Sequence, residues 1–96
     1  MDLNLSGKHA LVCGGSEGIG RAAAIELAAL GADVTLLARR DDALRDAVAA
    51  LPARATQCHG HLVADVSQAT ALADAVAALI AKQPVHILVN NTGGPR

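Results

Sequence analysis

The residues best suited to chemistry are Cys13-Gly14-Gly15-Ser16-Glu17-Gly18-Ile19-Gly20. Glycines at 14, 18 and 20 give a G-x-x-x-G-x-G spacing, distinct from the commoner G-x-G-x-x-G dinucleotide fingerprint. The physical need is similar. Gly14 would let the chain turn sharply off a strand. Gly18 and Gly20 would let a pyrophosphate approach the N–H groups at a helix N-terminus, where the dipole favours negative charge. Ser16, Glu17 and Ile19 complete the same phosphate loop. Gly-rich turns are common, so the surroundings must decide, and these glycines lie between a strand pattern and a helix pattern.

A second group follows the next strand pattern: Ala38, then Arg39 and Arg40. A site preferring NAD places an acidic residue there for the adenosine ribose hydroxyls. A guanidinium instead suits a 2′-phosphate by charge and by its planar donor fork. NADP(H) is therefore expected over NAD, with Arg39 as the primary contact. Two features weigh against this. Arg39 and Arg40 could form a solvated turn with Asp41 and Asp42, and Glu17 would bring a carboxylate towards that phosphate.

Other reactive side chains are less telling. Cys58, His59 and His61 hint at a metal, but no further ligands stand at suitable spacing, so the histidines are read as exposed or strand-packed. His9 and His86 are isolated, and nothing pairs with Ser16 as in a hydrolase. Cys13 and Cys58 are read as free buried thiols in a reducing compartment.

The elements that must position these groups alternate. His9–Val12 is a short apolar run, read as a buried strand. A helical stripe of Ile19, Ala23, Leu27 and Leu30 follows, with Gly31 as its left-handed cap. Val34–Ala38 reads as a second strand. Asp41 can cap a helix with the stripe Leu44, Val48 and Leu51, stopped by Pro52. Cys58–Ala64 is a third strand. Ser67 caps a helix carrying Ala69, Leu72, Ala73, Val76, Leu79 and Ile80 on one face. Val85–Val89 is a fourth strand, leading into Asn90-Asn91-Thr92-Gly93-Gly94. The pattern β-α-β-α-β-α-β predicts an α/β fold, a Rossmann-type doubly wound parallel sheet of order 3-2-1-4 that stops after its fourth strand. Residues 1–96 are expected to be the N-terminal part of a single domain. The fourth strand would have an open apolar edge, which invites association, so the natural protein is expected to continue.

Composition narrows the function. The chain of 96 residues is 52% hydrophobic but has no Phe, Tyr or Trp, so its core must be aliphatic and alanine-packed. A net charge of −1 gives no pull towards nucleic acid or anionic membrane, and the missing aromatics remove stacking platforms for single strands. The N-terminus lacks a secretory pattern, and no apolar run suffices for a membrane span. A soluble, cytoplasmic protein is expected.

Taken together, Gly14-x-x-x-Gly18-x-Gly20, Asp65-Val66 and Asn90-Asn91-Thr92-Gly93 resemble the short-chain dehydrogenase/reductase family, over nearly the whole chain. The resemblance implies that Asp65 meets the adenine amino group and that Val66 packs near that ring. It also implies that Asn90, Asn91 and Gly93 support the central sheet and border the adenosine ribose. The run Asn90–Pro95 is most similar to the 3-oxoacyl-acyl-carrier-protein-reductase-like subgroup. Cys13 and Thr92 depart from the family's usual Thr and Ala. The family's catalytic Tyr-x-x-x-Lys is absent, since the chain has no Tyr at all. The resemblance implies an oxidoreductase moving hydride between NADP(H) and a carbonyl or alcohol substrate, homo-oligomeric at full length, of which these residues would be the inactive cofactor-binding part. The alternative is a non-catalytic nucleotide-binding or regulatory module.

Overall fold

A computed structural model describes residues 5–14, 18–38, 41–53, 57–64 and 69–90. The elements are β1 (His9–Cys13), α1 (Gly18–Ala29), β2 (Asp33–Ala38), α2 (Asp41–Ala49), β3 (Gly60–Val63), α3 (Ala69–Lys82) and β4 (Ile87–Asn90). The strands form one parallel sheet of order β3-β2-β1-β4, as the alternating pattern predicts.

Residues of alternate parity along the strands feed two apolar layers. Ala10, Val12, Val34 and Leu36 pack with Ala24 and Ala28 of α1 and with Leu44, Ala47 and Leu51 of α2. Leu11, Cys13 and Leu37 face the other way, towards Leu72, Val76 and Leu79 of α3. Helices therefore cover both faces, and β1 and β2 are apolar on both sides, as covered parallel strands should be. Fully burying residues such as Leu11, Leu36, Leu37 and Leu44 stabilises the fold by about 1.5–3 kcal/mol each.

Several expectations need correction. On α1 the stripe Ile19, Ala23, Leu27 and Leu30 is not the buried face: Ile19 is 78% exposed, while Gly20, Ala24 and Ala28 are buried. Small residues let α1 sit close on the sheet, and Ile25 and Leu27 pack against the flanks of that contact. On α3, Leu72, Val76 and Leu79 turn inward, but Ala73 and Ile80 are exposed, so its apolar face is narrower than the pattern suggests. Asp41 is the first residue of α2 rather than its flanking cap. Strand β3 starts at Gly60, not Cys58, because residues 57–59 bond through the Gln57 and His59 side chains and through the Cys58 N–H to the Asp33 carboxylate rather than along the ladder. Strand β4 starts at Ile87, and the Ser67 cap lies outside the described residues. Cys13 is a buried free thiol, but Cys58 is exposed.

The caps behave as their residues dictate. Gly31 adopts φ +105° and ends α1 in a Schellman motif: Ala32 N–H donates to Leu27 O (3.1 Å) and Gly31 N–H to Ala28 O (3.0 Å). Gly7, with φ +82°, closes a type II turn in which Lys8 N–H donates to Leu5 O at 2.9 Å. Strand β4 lies at one edge of the described sheet, where Leu88 is 64% exposed. Among the described residues, no helix is long and apolar enough to cross a membrane.

Candidate functional site

Because all four strands run the same way, their C-terminal ends lie along one edge of the sheet. From β1 the chain goes to β2 and β3 on one side, and β4 lies on the other. The strand order thus reverses between β1 and β4, which is where open α/β sheets form a ligand crevice. Register aligns the ends: Cys13 pairs with both Leu37 and Asn90, and Ala38 with Val63.

Gly14 leaves β1 at this reversal. Its φ is +78°, a conformation that disfavours any residue with a Cβ. Its N–H donates to Leu37 O at 2.7 Å, so the turn is tied to the β1–β2 ladder. Helix α1 starts four residues later, at Gly18, with no acidic residue in its first turn to occupy the helix N-terminus. Ile19 is left exposed in that turn, and Gly20 is buried. Among the described residues, the end of a strand, the Gly14 turn and a helix N-terminus with no acid in its first turn lie at this edge, a combination whose chemistry suits an anion.

The ladder also carries the second and third strands to this edge. Ala64 N–H donates to Ala38 O at 2.9 Å. Ala38 is followed in sequence by Arg39, and Ala64 by Asp65. Of the candidate residues, the structure brings Gly14, Gly18, Ile19, Gly20 and the backbone of Asn90 to one edge. Ser16, Glu17, Arg39, Arg40, Asp65, Val66, Asn91 and Gly93 lie outside the described residues.

Cys13 sits beneath the glycine turn in the layer facing α3. Burial pushes its thiol up from the ordinary cysteine range, making it a poor nucleophile at neutral pH. It is a packing residue.

The histidines have roles that their isolation in the sequence concealed. His9 is buried; its Nδ1 donates to Pro84 O at 3.2 Å, so Nε2 accepts the hydroxyl hydrogen of Thr35 at 2.7 Å. His9 N–H donates to His86 Nδ1 (3.1 Å), while His86 N–H donates to His9 O (2.8 Å). His59 ties Val34 to Pro52. All of this lies at the N-terminal end of the strands, away from the glycine turn. Among the described residues there is no group of three or more His, Cys, Asp or Glu able to hold a metal.

A parallel sheet of this order, with a glycine turn feeding its first helix, defines a Rossmann-type nucleotide-binding architecture. The chain belongs to the short chain dehydrogenase family, which residues 8–96 match. It is 40% identical over 92 residues to a tropinone reductase homologue of Arabidopsis thaliana, covering 94% of this chain and 28% of that protein. L-sorbose reductase from Gluconobacter frateurii, complexed with NADPH and L-sorbose, superposes with a TM-score of 0.85 at 34% identity, covering 98% of this chain and 36% of that one. A 3-oxoacyl (acyl-carrier-protein) reductase from Agrobacterium tumefaciens with NADP bound gives the same score and identity, over 97% and 36%. That likeness agrees with the subgroup that the Asn90–Pro95 run resembles. The chain spans about a third of the length of these relatives.

Proposed function

We propose that residues 1–96 form the NADP(H)-binding N-terminal part of a Rossmann domain in a short-chain oxidoreductase. The whole enzyme would move hydride between the nicotinamide and a carbonyl or alcohol substrate, with a 3-oxoacyl compound as one candidate. The observation that carries this reading is the Gly14 turn, held at φ +78° at the reversal of strand order and leading into α1. Two relatives described with NADPH or NADP bound support the choice of cofactor.

When bound, the cofactor supplies the hydride chemistry. The chain's own residues bind and orient it. Backbone N–H groups of the loop beyond Gly14, up to residue 20, with the Ser16 hydroxyl, take the diphosphate, while the Gly14 N–H stays on Leu37 O. Arg39, assisted by Arg40, takes the 2′-phosphate. Asp65 meets the adenine amino group, Val66 packs near the ring, and Asn90, Asn91 and Gly93 border the ribose. With no tyrosine among the 96 residues, the family's acid/base group is not supplied here. We therefore infer that these residues alone bind nucleotide without turnover. The alternative reading is a nucleotide-binding or regulatory module that never catalyses. Reductase activity of the longer protein containing this sequence, lost on replacing a tyrosine outside it, would exclude the module.

Calorimetric titration with NADPH and NADH tests the cofactor assignment. Arg39→Ala removes a charged hydrogen-bonding partner worth about 1.5–3 kcal/mol. NADPH affinity should fall about tenfold to a hundredfold while NADH affinity stays put. Equal wild-type affinities for the two nucleotides would remove the role of Arg39. A folded chain that binds neither would remove the function itself.

A further inference from the structure

The segment entering β3 is held by side chains. His59 Nδ1 accepts the Val34 N–H at 3.0 Å, and Nε2 donates to the Pro52 carbonyl at 2.7 Å. These partners place the ring hydrogen on Nε2. Cys58 N–H donates to Asp33 Oδ1 at 2.9 Å. Gln57 Nε2 donates to the carbonyls of Ala28 (2.9 Å) and Ala32 (2.7 Å). Three consecutive residues thus clasp the end of α1, the start of β2 and the chain just after α2.

Strand β3 needs such a clasp. It is four residues long, lies at the sheet edge, and alternates between half-buried and exposed with no residue fully buried. Strands of this kind hold their register weakly. A slip of one residue would shift β3 by about 3.3 Å along β2 and turn His61 and Val63 towards the α3 layer in place of Leu62. The first backbone pair is Thr35 with Gly60, so the His59 ring takes up the N–H one residue ahead of the ladder. At the far end, Ala64 N–H to Ala38 O joins the residue before Asp65 to the residue before Arg39.

We infer that the Gln57–His59 clasp sets the register of β3, making His59 a positioning residue for the adenosine end of the nucleotide site. This rests on the nucleotide reading above. His59 does not touch the nucleotide: five residues of strand, about 16 Å, separate it from Ala64. It acts through the ladder. A flat ring that accepts on one side and donates on the other can bridge strand and helix end; a glutamine amide can do the same, and an alanine cannot.

The test compares His59→Ala and His59→Gln in the 96-residue chain. Amide hydrogen exchange at Val34 and Ala64 is measured against Leu11 and Val12 in the β1 ladders. Affinities for adenosine 2′,5′-bisphosphate and inorganic pyrophosphate are measured alongside. His59→Ala should speed Val34 and Ala64 exchange at least tenfold and weaken the adenosine ligand about tenfold. Leu11, Val12 and pyrophosphate binding should not change, and His59→Gln should restore both losses. Gln57→Ala, which removes another arm of the clasp, takes its place if His59→Ala does not fold. Unchanged exchange at Ala64, or equal loss of the two ligands, overturns the inference. If the wild-type chain binds pyrophosphate and the adenosine ligand to no measurable extent, the nucleotide reading falls and the positioning role falls with it; exchange at Ala64 still decides the register.

Discussion

Gly7 and Gly14 form a matched pair, with φ values of +82° and +78°. Either one, replaced by alanine, forces an L side chain into the left-handed region at about 1–2 kcal/mol. At Gly7 nothing lies within 4 Å of an added Cβ, so strain is the whole effect there. For a domain of this size, 1 kcal/mol lowers Tm by about 4–8 °C. Both variants should therefore lose about 4–16 °C in thermal unfolding. Ligand affinity should separate them. If the Gly14 backbone approaches a diphosphate, a methyl group there displaces it and forfeits a charge-assisted hydrogen bond of about 1.5–3 kcal/mol. Titrated with pyrophosphate and NADPH at a temperature where both variants are folded, Gly14→Ala should bind about tenfold to a hundredfold more weakly, and Gly7→Ala like wild type. If Gly14→Ala matched Gly7→Ala in affinity, the turn would be an ordinary bend and the cradle argument would fail.

Exposed Cys58 should react with iodoacetamide in the folded chain, and buried Cys13 only on unfolding in urea; equal labelling by mass spectrometry would show the end of β1 to be open. Burial holds the Cys13 thiol up in the folded state, so its contribution to stability is complete below the unfolded thiol's range, near ~8.5, and is lost as pH rises through the higher folded value. Urea midpoints should fall in that alkaline window, and less so in Cys13→Ala. Thr35→Val and His9→Leu each leave a buried partner unsatisfied, at about 1–3 kcal/mol, but the double variant removes both ends of the hydrogen bond. Its cost should fall short of the sum by about 1 kcal/mol or more in denaturant titrations, and additivity within ~0.5 kcal/mol would mean the pair is not coupled.

Strand count, sheet order, the Gly31 cap and the glycine turn were all legible in the sequence. Each rests on local chemistry: apolar runs for covered strands, a Cβ-free residue where φ is positive, Pro52 at the end of a helix. What failed was long-range. Periodicity on α1 marks Ile19, Leu27 and Leu30 as a face, but the depth of packing is decided by which side chains are small enough, and those are Gly20, Ala24 and Ala28. Strand β3 starts two residues later than its sequence pattern suggests, because Cys58 and His59 look like strand residues but bond to Asp33, Val34 and Pro52 outside the ladder. His9 and His86 stand 77 residues apart, and no spacing rule links them. In the candidate site, the strand ends, the Gly14 turn and the start of α1 follow from local residue chemistry. The assignments of Arg39, Asp65 and Asn91 stand on residue chemistry and family resemblance.

The alanine keel of α1 has a consequence for recognition. A helix seated on methyl groups can approach the strands more closely than one seated on bulky side chains, which keeps its positive end low over the C-terminal edge of the sheet. Bulkier residues would anchor the helix with more apolar area, yet they would lift that end away from any anion below. At this contact the chain gives up apolar area for closeness of approach.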